Sequence, residues 1–109
     1  MMNQREIFIM MYFCLDAYWE ENQTDELGNI CSDHNPFLWE GETSGDPACY
    51  IEFCELVEDK NYSTEEGFGM AKKYVETLNS EEATKAMNDV TLGDWEEGYE
   101  HYLKQNENE

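Results

Sequence analysis

Positive charge is what this sequence has least of. Its 109 residues hold 6 Lys and Arg against 26 Asp and Glu, a formal net charge of −20. From Glu6 to Asp59 there are 14 acidic residues and no lysine or arginine at all, Arg5 being the last before Lys60. Small soluble domains carry a net charge of about 2–8 in magnitude. A surface this negative repels nucleic acid and anionic lipid, lacks the potential a phosphate site needs, and attracts basic partners.

Long apolar runs are missing too. The longest, Ile7 to Leu15, is nine residues, against about 20 for a bilayer span. Only Arg5 precedes it as a base, and Asp16, Glu20 and Glu21 follow where a signal peptide needs a small-residue cleavage site. The run therefore reads as a buried helix of a cytoplasmic protein. In that compartment the four cysteines are reduced thiols, with Cys14 as core filling. Catalytic motifs are absent as well: no Gly-rich phosphate loop, no nucleophile elbow and no Ser/His/Asp set. Neither an enzyme nor a cofactor is expected.

What is present suffices for a fold. Apolar residues make up 40% and aromatics 14%, too much for a disordered acidic tail, and the length suits a single domain, residues 1–109, with one core. Ile7, Met11, Leu15 and Tyr18 form one helical stripe from about Asn3 or Gln4 to Glu21. Phe8, Met10, Tyr12 and Phe13 cover much of the remaining circumference, which places this helix at the centre. Residues 22–46 are rich in turn formers, among them Asn22, Asp25, Gly28, Asn29, Asn35, Pro36, Gly41 and Gly45, and read as a long loop. Phe37, Leu38 and Trp39 would pin that loop to the core, or Trp39 would stand out as an anchor for a partner. A short strand around Phe37 to Glu40 is possible, and a strand is the weaker alternative for Ile7 to Leu15.

Asp46 and Pro47 suit a cap and first position of a helix reaching about Lys60, with Tyr50, Phe53 and Val57 inward and Ile51, Cys54 and Leu56 beside them. Ser63 and Glu66 have capping-box spacing for a helix to about Leu78, with Phe68, Ala71, Val75 and Leu78 inward. Gly67 and Gly69 weaken its first turn or admit another backbone. Ser80 caps a short helix to Asn88. Thr91 and Asp94 start the last, with Trp95, Tyr99, Tyr102 and Leu103 facing the core and a fraying tail from Gln105. The expectation is an all-α fold, a small bundle of about five helices with one long loop at about 22–46 after a highly apolar first helix.

Cys31 and His34, then Cys49 and Cys54, have ligand types and a first-pair spacing that suit a structural zinc site. Against it, Cys49 and Cys54 on one helix stand about 140° apart round the axis. A loop and a helix with incidental thiols explain the residues better, and the metal-built module stays as the alternative. Glu97 and His101 are spaced as an i, i+4 surface pair. Asp89 to Glu100 has the length of a calcium loop but carries Asp94 where that loop needs glycine.

The remaining signal is the row of carboxylates. Glu52, Glu55 and Glu58 or Asp59 recur at helical spacing, about 5–6 Å apart, a pitch comparable to the phosphates of a nucleic-acid strand. Asp94, Glu97 and Glu100 repeat the arrangement. In size and charge the chain resembles small acidic inhibitors that mimic nucleic acid: phage anti-CRISPR and anti-restriction proteins, and immunity proteins that block nuclease toxins. That likeness is one of composition and assigns no residue a role. It implies an inhibitor that occludes the basic surface of a nucleic-acid-binding protein or nuclease, without touching nucleic acid or membrane itself. The expected contact residues are Glu52, Glu55, Glu58 and Asp59, with Glu40, Glu42 and Asp46 adjoining and Trp39 as anchor. A monomer or a homodimer through the first helix both fit, although a dimer brings two highly negative chains together. The competing reading is acidity that serves solubility alone, as in halophilic proteins.

Overall fold

The structure, a computed structural model, describes residues 1–37 and 44–107. Among these the chain forms six helices: α1 (Gln4–Glu21), α2 (Asp25–His34), α3 (Pro47–Leu56), α4 (Thr64–Thr77), α5 (Glu81–Asn88) and α6 (Leu92–Glu107). No described helix is long and apolar enough to cross a membrane.

Helix α1 begins as its sequence dictates. Asn3 and Glu6 exchange backbone and side-chain bonds of 2.8 and 2.9 Å in a full capping box, which satisfies two of the orphan donors at the start. Ile7, Phe8, Met11 and Leu15 are wholly buried, contributing about 1.5–3 kcal/mol each relative to exposure. Helix α1 packs against every other helix, so its nearly all-round apolarity has a physical reason.

The expected loop at 22–46 is overturned by α2. Thr24 caps it by accepting from the Leu27 amide at 3.3 Å, and Leu27, Cys31 and His34 point inward at i, i+4 and i+7. Gly28, read as a turn former, sits mid-helix under Trp19. A Cβ there would lie 3.0 Å from the Trp19 Nε1, so the glycine admits the indole rather than turning the chain. The bundle therefore has six helices where five were expected. Phe37 does not plug the core: it is 59% exposed. Leu38 and Trp39, and the strand expected around Phe37 to Glu40 beyond its first residue, lie outside the described residues.

Helix α3 stops at Leu56, short of Lys60. Val57 adopts an extended conformation, with its side chain fully buried and its carbonyl accepting from the Gln4 side chain at 2.7 Å. The core's demand for Val57 and the tie to α1 win over helix continuation. Ile51, expected near the core, is 58% exposed. The chain then returns alongside the N-terminus, where Met2 and Tyr62 exchange a pair of backbone bonds of 2.7 Å.

Helices α4 and α5 match their caps. Ser63 and Glu66 form a capping box, and Ser80 caps α5 while its hydroxyl donates to Glu26 of α2 at 3.2 Å. Between them Asn79 takes a φ of 53°, the left-handed geometry that ends many helices and that asparagine tolerates. In α6 Trp95 and Tyr99 are buried as expected, whereas Leu103 is partly exposed. Trp95 stacks on Phe68 with centroids 5.2 Å apart, and its indole N–H has no acceptor among the described residues. The helix continues through Glu107, past the point where fraying was expected.

Candidate partner-binding surface

The α3 face is built from its cap outward. Asp46 closes the N-terminus by accepting from the Ala48 amide at 3.0 Å. Its own amide donates to the Asp33 carbonyl of α2 at 2.8 Å, which pins the start of α3 to the end of α2. Glu52 and Glu55 lie exposed on the helix, and Asp46, Glu58 and Asp59 are exposed at its two ends. Because α3 ends at Leu56, Glu58 and Asp59 do not continue the helical pitch. Lys60 pairs with Glu58 at 3.6 Å, and such an exposed pair adds little stability while neutralising one end of the row. Glu40, Glu42 and Trp39 lie outside the described residues.

Arg5, the one cation before Lys60, is turned inward. Its guanidinium donates to the Pro36 carbonyl at 3.2 Å and lies 4.8 Å from the centroid of the Tyr50 ring. It therefore fastens α1 to the α2–α3 connection and, through Tyr50, to α3 itself. Of the other cations, Lys85 is exposed and pairs with Glu81 and Glu82, and Lys72 sits over the Phe68 ring at 4.3 Å.

On α6, Asp94, Glu97 and Glu100 are exposed and line a shallow hollow with His101 and Lys104. Asp94 and Thr91 exchange side-chain and backbone bonds of 3.1 and 3.2 Å, so this stretch is a capped helix start rather than a calcium loop. His101 contacts Gln105 at 3.1 Å, and no ion pair with Glu97 forms among the described residues.

The four thiol and imidazole positions are divided between two helices. Cys31 and His34 belong to α2, Cys49 and Cys54 to α3. Among the described residues no group of three or more His, Cys, Asp or Glu side chains converges as a metal site. Both His34 nitrogens are engaged: Nδ1 lies 2.7 Å from the Ile30 carbonyl and Nε2 2.8 Å from the Tyr74 hydroxyl. Burial pushes the Cys31 and Cys49 thiols up to about 11, with Asp16 and Asp46 respectively adding repulsion. It also raises Cys54. The thiolate a metal would need is thereby disfavoured.

Sequence reasoning missed two features. One is the buried His34–Tyr74 contact joining α2 to α4, which the Leu27, Cys31, His34 spacing hinted at. The other is an apolar groove along α1. Its lining is Met10, Phe13, Cys14, Ala17, Tyr18 and Glu21 on one side and residues of α5 and α6 on the other, around about 410 Å³. The repeat of 3 and 4 residues from Met10 to Glu21 was visible in the sequence, hidden by the all-round apolarity of the helix. Compared with family models, curated proteins and solved structures, the chain matches none of them.

Proposed function

We propose that this chain is an acidic binding protein that occludes the basic surface of a nucleic-acid-binding partner, with Asp46, Glu52, Glu55 and Asp59 as the charged contact face. The observation that carries the reading is the inward placement of Arg5: the only Lys or Arg of the first 59 residues is engaged by Pro36 and Tyr50. Glu52, Glu55 and Asp59 are exposed to solvent, and Lys60 pairs with Glu58. Such a face steers a basic partner by long-range attraction and sets the on-rate more than the off-rate. Screening shortens that attraction, so the complex must weaken steeply with salt.

The test is a salt-graded capture from lysate of the native host, comparing the wild type with Glu52→Lys/Glu55→Lys and adding duplex DNA as competitor. A basic protein retained at low salt, lost at high salt, lost by the variant and displaced by DNA is the expected result. A partner held equally by the variant and indifferent to DNA, or none at all, assigns the acidity to solubility.

A further inference from the structure

We propose that the groove between α1 and the α5–α6 corner docks a basic amphipathic helix of a partner protein. On α1 the groove is a single stripe, Met10, Phe13, Cys14, Ala17, Tyr18 and Glu21, spaced as one helix presents itself to another and about 16 Å long at 1.5 Å per residue. The facing wall brings Val90, Trp95 and Gly98. No described helix fills the space between these walls. Ala17 and Gly98 keep the walls low, and Met10 reaches within 3.1 Å of the point where a Cβ on Gly98 would stand. The floor is thus apolar and shallow, the shape that receives the anchor side chains of a helix.

The apolar surface continues beyond the groove. Phe13 is 38% exposed and stacks on the exposed Phe37, centroids 5.8 Å apart, with the Tyr102 ring 6.4 Å from Phe13. Exposed aromatics next to an apolar cleft are the usual anchors of protein contacts.

Charge selects the occupant. Glu21, Asp89 and Asp94 stand along the groove, and among the described residues no Lys or Arg lines it. A helix that is apolar on one side and carries Lys or Arg at its flanks satisfies both the floor and the rim. A second copy of this chain would bring another net charge of −20 to an acidic rim. The groove is also separate from the α3 face. Phe8 meets Tyr50 and Phe53 of α3 at 5.0 Å, and the stripe centres roughly 200° round α1 from Phe8. The two surfaces can therefore succeed or fail independently.

The test uses the full chain and two labelled synthetic peptides of Leu and Lys, one patterned as an amphipathic helix and one scrambled to the same composition and charge. At physiological salt the patterned peptide is expected to bind at least about tenfold more tightly, a difference of about 1.4 kcal/mol. It should shift the amide resonances of Ala17, Val90 and Gly98. Ala17→Trp, at an exposed position, fills the groove and should remove that advantage; Asp89→Lys, also exposed, should weaken the patterned peptide severalfold. Glu52→Lys/Glu55→Lys should lower both peptides alike and leave the ratio. Equal binding of the two peptides, binding of neither, or indifference of the folded Ala17→Trp protein overturns the proposal. Self-association of the chain that Ala17→Trp abolishes gives the groove to a second copy and overturns it too.

Discussion

His34 shows how much one buried side chain can hold in place. The Ile30 carbonyl only accepts, so Nδ1 carries a proton and donates to it. In the neutral ring Nε2 then accepts from the Tyr74 hydroxyl. The Cys49 carbonyl, 3.3 Å from the same hydroxyl, takes its hydrogen only when His34 is protonated and donates to the Tyr74 oxygen. The link from α2 to α4 thus holds in both protonation states, and the one from α4 to α3 forms only in the protonated state. Burial still favours the neutral ring, lowering its pKa below the ordinary value of 6.5 despite the Ile30 bond and the carboxylates of Asp33, Glu52 and Asp46. The unfolded chain therefore binds a proton near pH 6.5 that the folded chain refuses. Stability conferred by the neutral ring is full above that pH and falls as pH drops below it, by at most about 1.4 kcal/mol per pH unit. Urea midpoints measured between pH 7.5 and 5.5 should decline more steeply in the wild type than in His34→Gln. Parallel slopes would mean that His34 titrates as it does in water.

At the scale of elements, the two glycines of α4 separate alternatives that the sequence left open. Gly67 is buried, and a Cβ there would lie 3.0 Å from the Met2 sulfur and 3.3 Å from Ile7 Cγ1. Gly69 faces open space. Close approach of the Met2 and Ile7 side chains, rather than of another backbone, explains the first, and nothing in the structure explains the second. Gly67→Ala should therefore destabilise by about 1–3 kcal/mol through overpacking, while Gly69→Ala should stabilise by about 0.4–1 kcal/mol through helix propensity. Opposite movements of the urea midpoint are the expected readout, and a gain for both would show that Met2 yields freely. Most element starts were legible because caps are local: Asn3, Asp46, Ser63 and Ser80 each bond within three residues of themselves, whereas the equally local cap of Thr24 was hidden among turn formers. What else was not legible depended on distant partners. Gly28 looked like a turn until Trp19 lay over it, and Val57 looked helical until Gln4 took its carbonyl. The candidate site divides the same way. The exposure of Glu52 and Glu55 followed from the stripe of Tyr50 and Phe53, whereas the α1 groove required knowing where α5 and α6 end up.

At the scale of the whole molecule, the net charge of −20 acts on folding and on binding with opposite signs. The molecule measures 34 × 29 × 26 Å. The screening length is about 30 Å at 10 mM salt and about 3 Å at 1 M. In dilute salt each carboxylate is therefore repelled by those across the protein, and in concentrated salt by its immediate neighbours alone. Three exposed ion pairs among the described residues offset little of this. Thermal melts at neutral pH should shift upward by about 5–10 °C between these salt concentrations, equivalent to about 1–2 kcal/mol for a domain of this size. Any complex steered by the carboxylate face should weaken over the same range. The pairing matters because loss of a partner at high salt then cannot be put down to unfolding: the chain is more stable there, not less. A melting temperature that does not move with salt would mean that the carboxylates are spaced widely enough on the surface for their mutual repulsion to be already negligible. The acid-rich surface would then owe nothing to a balance between folding and binding, and its composition would reflect solubility.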